Sequence, residues 1–189
     1  MGKKTKRDEK QYWLLKTEPG EWSWDDQASN GGLSKWDGVK NHQALKNLKS
    51  ARLHDLCFFY HSGTKSRRIV GVVTVVREWY EDDDAGCGAV DVKAVGEMRN
   101  PVDLKEMKGE LKNSKEFGLF RQPRLSVVPV PVDVWEKICE LGNGYEGDGV
   151  IVSDHDEVDE QLLIFDHQLA TVIVSASASA FFLQTTGKF

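Results

Sequence analysis

The stretch Asp55-Leu-Cys-Phe-Phe-Tyr-His-Ser-Gly63 decides the fold. It begins as an apolar run and ends abruptly in side chains that form hydrogen bonds. A strand that is apolar throughout belongs to a core, so its polar end, Tyr60-His61-Ser62, is expected at the rim of whatever that core encloses. Pockets for small molecules or bases commonly lie at such rims. A strand that simply runs into a polar turn is the competing interpretation.

Three more segments predict strands around this one. Residues 69–76 are strongly β-branched and almost continuously apolar, as is typical of a central strand. Residues 89–95 alternate between apolar and polar, which predicts a strand with one solvated face, and residues 12–16 form the first strand. Together with the apolar run before Tyr60, residues 69–76 and 89–95 predict an antiparallel meander that closes into a small barrel, in a chain that also has predicted helices and so belongs to the α+β class.

Polar groups are predicted to gather near the Tyr60-His61-Ser62 end. Lys16-Thr17-Glu18 closes the first strand just before a Pro-Gly turn. Lys40, Asn41 and Gln43 lie near the start of a predicted helix, a location that suits anions and polar ligands. Four tryptophans fall within a short span: Trp13, Trp22, Trp24 and Trp36. Several tryptophans beside amides and a carboxylate are what a stacking pocket for a flat ring requires. One or two of the four are expected simply to pack in the core.

Basic side chains follow this polar end. Lys65, Arg67 and Arg68 form a loop that suits phosphate contacts, with a solvated turn as the alternative. Further on, Arg124 and Ser126 are expected to project from one face of a strand bracketed by prolines, because side chains alternate along a strand.

Composition limits the class of protein. The chain has 189 residues, 40% of them hydrophobic, which is enough for one domain with tails. No membrane-spanning run, signal peptide, disulfide framework, metal site or cofactor motif is predicted. Eight acidic residues against one lysine follow Gly142, so the rest of the chain is mildly basic despite a net charge of -5. This distribution is compatible with a polyanionic partner.

Five motifs, read together, resemble the EVE domain, and within that family the thymocyte nuclear protein 1 type, with a plant member expected. They are Tyr12-Trp-Leu-Leu-Lys-Thr-Glu-Pro19, Trp36-Asp-Gly-Val-Lys-Asn-His-Gln-Ala44, Phe59-Tyr-His-Ser62, Ile69-Val-Gly-Val72 and Arg124-Leu-Ser-Val127. The resemblance implies a PUA-like fold, a small mixed β-barrel with peripheral short helices, over residues 11–141. Residues 1–10 are then a disordered basic arm, and residues 142–189 an acidic, partly disordered tail.

The resemblance also implies a function. We expect a monomeric, nuclear, non-catalytic reader that binds a modified nucleobase, modified cytosine in DNA being favoured over RNA. Carried over residue by residue, its base pocket comprises Lys16, Thr17, Glu18, Trp24, Trp36, Asn41, Gln43, Tyr60, His61, Ser62, Arg124 and Ser126. The expected phosphate-binding residues are Lys40, Lys65, Arg67 and Arg68.

Two other classes of function stay open. Some PUA-like relatives hydrolyse modified nucleosides with a lysine, a threonine and a glutamate, which Lys16, Thr17 and Glu18 could supply. Three adjacent residues of a strand are not expected to face one pocket, and this weighs against such an enzyme. A protein-interaction adaptor that uses the acidic tail is the third interpretation.

Overall fold

The computed structural model of the protein describes residues 10–29, 31–64, 66–81 and 88–149. Its centre is one six-stranded mixed sheet with the strand order β2-β5-β4-β3-β1-β6. β1 and β3 run parallel, whereas the other neighbouring pairs are antiparallel. The strands are β1 (Tyr12–Thr17), β2 (Leu33–Trp36), β3 (Leu56–Ser62), β4 (Arg67–Tyr80), β5 (Ala89–Asp103) and β6 (Val127–Val130).

In the described part of the chain, five short helices surround the sheet, and two of them begin at side-chain caps. At the start of α1, the Asp26 carboxylate accepts hydrogen bonds from the Ser23 backbone N–H and hydroxyl. At α2, Asn41 Oδ1 accepts from the backbone N–H groups of residues 43 and 44. The helices are α1 (Trp24–Ser29), α2 (His42–Ser50), α3 (Leu104–Glu110), α4 (Gly118–Arg121) and α5 (Val132–Leu141).

The core covers both faces of β3. Phe58 and Phe59 are fully buried on opposite faces, as alternation along a strand requires. Phe58 stacks on Trp135 of α5 with 3.8 Å between ring centroids. Phe59 meets the edges of Trp24 and Trp36, at 5.4 and 5.7 Å. The apolar run that opened the sequence is therefore the centre of the molecule.

Gly71 of β4 allows Trp24 to lie against the sheet. A Cβ atom at residue 71 would overlap the six-membered ring of the Trp24 indole. The glycine within an otherwise β-branched strand is therefore explained by a close approach of a side chain.

Residues 142–149, which the sequence pattern assigned to the acidic tail, pack against β5. Tyr145 is buried and bridges to Met98, and the guanidinium of Arg99 binds both carboxylate oxygens of Asp148 at 2.8 and 2.9 Å. Gly96 permits the backbone of residue 146 to cross closely. The expected basic arm, through residue 9, and the acidic tail from residue 150 lie outside the described residues.

No helix within the described part of the chain is long and apolar enough to cross a membrane.

Candidate functional site

A cavity of about 670 Å³ lies where the polar ends of several strands meet. β1 and β3 contribute their last residues, β2 contributes its C-terminal end, and the segment that precedes β6 completes the wall. The end of β2 and the segment that leads into β6, the two terminal strands of the sheet order, thus border the same cavity. Its lining consists of Lys16, Thr17, Glu18, Glu21, Trp22, Lys35, Trp36, Asp37, Gly38, Val39, Ser62, Pro123, Arg124 and Ser126.

Lys16, Thr17 and Glu18 all line the cavity, contrary to the expectation from strand alternation. The reason is that β1 ends at Thr17, and the chain then turns. The Glu18 carbonyl accepts hydrogen bonds from the backbone N–H groups of Glu21 and Trp22, both at 2.9 Å. Alternation stops at this turn, so three successive side chains can reach one space.

The Lys16 amine is partly buried in the wall. Its Nζ donates a hydrogen bond to the Pro123 carbonyl at 3.1 Å. Burial lowers the pKa of Lys16 to about 8. The backbone fixes the same edge, because the Lys16 N–H donates to the Ser126 carbonyl at 2.9 Å. At pH 7 a pKa of about 8 leaves roughly a tenth of this amine unprotonated, far more than in a solvated lysine.

Hydroxyl groups tie the ends of β1 and β3 together. Ser62 Oγ donates to the Thr17 carbonyl at 3.1 Å, and Thr17 Oγ1 donates to the Trp22 carbonyl at 3.0 Å. Ser62 and Thr17 therefore shape the wall, and each hydroxyl still has acceptor capacity for a ligand.

Two indoles form the aromatic part of the lining. Trp36 is 8% exposed and is held by its edge contact with Phe59. Trp22 was not among the predicted site residues, although it belongs to the tryptophan cluster noted in the sequence. Its indole Nε1 donates to Gln27 Oε1 at 3.0 Å, and Gln27 is fully buried. A buried amide in α1 thus fixes the orientation of a cavity wall.

The charges around the cavity balance. Lys16, Lys35 and Arg124 supply three cations, and Glu18, Glu21 and Asp37 supply three carboxylates. Lys35 and Asp37 form an ion pair at 3.4 Å. Such a lining offers both donors and acceptors, which suits a neutral polar ring better than a bare anion.

Three predicted pocket residues do not line the cavity, and two of them are buried while the third, His61, is half-buried. Trp24 and Tyr60 are 6% and 2% exposed, and burial raises the pKa of Tyr60 to about 12. His61 Nε2 accepts a hydrogen bond from the Trp24 backbone N–H at 3.2 Å. Burial, with Arg68 nearby, lowers the pKa of His61. These three residues therefore lie behind the wall of the cavity and do not line it.

Two further predicted pocket residues serve α2. Asn41 caps this helix, and Gln43 Nε2 donates to Asn47 Oδ1 at 2.9 Å. Both line neighbouring cavities but not the one at the strand ends. The helix start is therefore close to the site without forming its wall.

The predicted phosphate-binding residues that the structure describes do not line the cavity at the strand ends. Lys40 is exposed and lies outside the cavity lining, and Lys65 is outside the described residues. Arg67 lines another cavity, beside α3, and Arg68 is 3.6 Å from Asp103. Arg124, together with Ser126, does line the main cavity, but the reason differs from that expected, because both precede β6 instead of alternating along it.

Comparisons with known proteins agree with this architecture. Mouse thymocyte nuclear protein 1 is 32% identical over 164 residues, covering 69% of this chain and 73% of the mouse protein. The crystal structure of human THYN1 protein in complex with 5-methylcytosine containing DNA has a TM-score of 0.64 at 26% identity, covering 70% of this chain and 97% of that one. Atu2648 from Agrobacterium tumefaciens has a TM-score of 0.66 at 36% identity, covering 71% and 94%.

These likenesses confirm the predicted α+β, PUA-like fold. The relatives named here come from mouse, human and a bacterium, so they give no support to the plant origin that the resemblance suggested. The model of the EVE domain family matches residues 11–141, more than half of the sequence. The chain therefore belongs to the EVE domain family.

Proposed function

We propose that this protein is a non-catalytic reader that binds a modified nucleobase in the cavity at the strand ends. The observation that carries the proposal is the lining itself, where Trp22 and Trp36 stand beside Lys16, Glu18 and Ser62. Its volume of about 670 Å³ falls within the range of about 300–1,000 Å³ that is usual for small-ligand pockets.

The proposed ligand is modified cytosine in DNA. Human THYN1, which shares this fold, was crystallised with DNA containing 5-methylcytosine, and this supports cytosine as the first base to test. A base inside a duplex is stacked, so it must leave the helix or be offered in a single strand. Aromatic walls recover about 1–3 kcal/mol per stacked base, which offsets the loss of stacking.

The polar groups divide between base and backbone. Glu18 and Ser62 are proposed to bind the edge of the base, and Arg124, exposed at the rim, to bind a phosphate. Arg67, the first residue of β4, is proposed as a further phosphate contact, as is Lys65, which lies outside the described residues. A nuclear location and a monomeric state are part of the same proposal, the first supported by the names of the relatives.

The test is a binding series on oligonucleotides that carry cytosine or 5-methylcytosine, single-stranded and duplex, at two salt concentrations. We expect the parent to prefer the modified base, and Glu18→Gln to reduce that preference while the protein stays folded, because residue 18 is exposed. Trp36→Ala should weaken binding about 5- to 100-fold, as expected for one lost stacking contact. Its fold is checked by circular dichroism, because residue 36 also packs in the core.

Trp79→Ala is the matched control, since its ring lies under the Lys49 ammonium and away from the cavity lining. Arg124→Ala should weaken binding of modified and unmodified oligonucleotides alike. It should also lower the magnitude of the slope of log affinity against log salt concentration by about 1. A parent that binds both cytosines equally, in either strandedness, contradicts the proposed reader function.

A hydrolase acting on modified nucleosides is the second candidate, and one observation favours it. Lys16, Thr17 and Glu18 line one cavity, and burial lowers the pKa of the lysine to about 8, which increases the nucleophilic fraction of its amine. Incubation with N4-acylated cytidine and mass spectrometry of the products test this activity. Turnover by the parent that Lys16→Ala abolishes would establish the enzyme, and unchanged substrate would remove it.

A further inference from the structure

A second cavity, of about 600 Å³, lies beside α2, the segment 113–122 and α5, and the proposed function does not use it. Its lining is rich in side-chain amides, which come from four separate parts of the chain. They belong to Gln11, Gln43, Asn47, Asn113 and Gln122. We call this space the amide cavity.

Only part of this hydrogen-bonding capacity is used by the protein. Asn47 Nδ2 donates to the Val127 carbonyl at 2.8 Å, and Asn47 Oδ1 accepts from Gln43. Within the described part of the chain, the side-chain amides of Gln11, Asn113 and Gln122 make no hydrogen bond. Each unbonded amide presents an adjacent donor and acceptor.

The rest of the lining restricts the charge and shape of a ligand. Phe117, Leu125 and Val134 provide buried apolar surface, and among the described residues no lysine or arginine lines the amide cavity. Glu116 and Asp133 do line it, so a phosphate or another anion is disfavoured. A neutral, flat ring with donors and acceptors along its edge fits such a lining.

A smaller cavity, of about 360 Å³, adjoins both the amide cavity and the cavity at the strand ends. It shares Pro123 and Arg124 with the cavity at the strand ends, and Gln43, Gln122 and Leu125 with the amide cavity. Arg124 thus lines the cavity at the strand ends and the smaller cavity that adjoins the amide cavity. This order, ring, cation, ring, repeats the order base, phosphate, base along a nucleic-acid strand.

We infer that the amide cavity receives the nucleobase next to the modified one in the same strand, and that the phosphate between them passes Arg124. The inference rests on the proposed reader function, which it extends from one base to two. Nucleobases carry neighbouring donors and acceptors on their edges, and a Gln or Asn amide can pair with these in a bidentate manner.

The experiment compares oligonucleotides with 5-methylcytosine at the centre, in the strandedness that the parent binds selectively. One carries an abasic site on the 5′ side of the modified base, and another carries it on the 3′ side. We expect one of the two abasic sites to weaken binding to the parent about tenfold, in keeping with one lost base contact. Gln122→Ala should bind the intact oligonucleotide more weakly than the parent does, by about the same factor. This variant should also bind the intact oligonucleotide and that abasic one with equal affinity.

Asn113→Ala is the second variant, and Asn100→Ala is the control, because residue 100 is an exposed amide on β5 that lies outside these cavities. Selective binding of the modified base that neither abasic site nor Gln122→Ala reduces overturns the inference and leaves the reader function standing. A loss in Gln122→Ala without any abasic effect also overturns it, since the cavity would then bind something other than a base. A parent without preference for the modified base overturns the proposed function instead.

Discussion

Replacing Gln27 by Met should destabilise the domain and loosen one wall of the cavity at the strand ends. The Gln27 amide is fully buried and makes three hydrogen bonds. Its Oε1 accepts from Trp22 Nε1 at 3.0 Å and from Ser34 Oγ at 2.6 Å, and its Nε2 donates to the Gly32 carbonyl at 2.6 Å. Methionine has a similar shape and none of these groups, so the change isolates the polar contribution.

The magnitude follows from the partners that are left behind. The Ser34 hydroxyl and the Gly32 carbonyl are buried, so each loses its partner without gaining water, at about 1–3 kcal/mol apiece. Trp22 is only partly buried, and its indole N–H can turn toward solvent. We therefore expect the free energy of unfolding to fall by about 2–6 kcal/mol, a large share of a typical 5–15 kcal/mol.

Urea denaturation followed by tryptophan fluorescence measures the loss, and Gln11→Met is the matched control. It makes the same chemical change at a side chain without a hydrogen-bond partner in the described residues, so its effect should stay within about 0.5 kcal/mol. Because Gln27 orients Trp22, binding of the modified oligonucleotide should weaken as well under conditions where the variant is folded. A loss below about 1 kcal/mol in Gln27→Met would refute the assignment of this amide as the link between α1, β2 and the cavity wall.

Three further predictions concern backbone packing and pH. Gly71→Ala should cost about 1–3 kcal/mol in urea denaturation, because the added methyl group overlaps Trp24, whereas Gly109→Ala, with open space around it, should be neutral or stabilising. Lys16 has a pKa of about 8 in the folded chain and the usual 10.5 in the unfolded chain, so between these pH values the unfolded chain binds more protons. Stability should therefore rise with pH across that window, and the rise should be smaller in Lys16→Met. Because the pKa of His61 is also lowered by folding, the unfolded chain again binds more protons than the folded one below about pH 6.5. Stability should therefore fall as the pH drops below about 6.5, and it should fall less in His61→Gln.

The strands and helix caps were predictable because they depend on local pattern. The apolar run before Tyr60 is β3, the β-branched run that contains Gly71 is β4, and the spacing of Ser23 and Asp26 is that of the cap they form at α1. These features follow from side-chain alternation and from short-range hydrogen bonds, which the order of residues determines directly.

The partition of polar residues between cavity and core was not predictable in the same way. Trp24 and Trp22 are separated by one residue, yet the first packs on Gly71 and the second lines the cavity. That difference arises from the buried amide of Gln27 in α1, whose three partners come from the segment before α1, the turn before β2 and β2 itself. No spacing in the sequence indicates which tryptophan this amide will hold.

The balanced lining of the cavity also determines how a base mark could be distinguished. A methyl group adds about one buried carbon, worth roughly 0.8 kcal/mol, which corresponds to about a fourfold difference in affinity. Burial against Trp36 alone therefore cannot produce strong selectivity for a methylated base. A larger measured preference would require polar groups such as Glu18 and Lys16 to respond to the mark, and Glu18→Gln would then reduce the preference toward fourfold. A preference that stays near fourfold in both proteins would instead show that the mark is bound by its apolar surface.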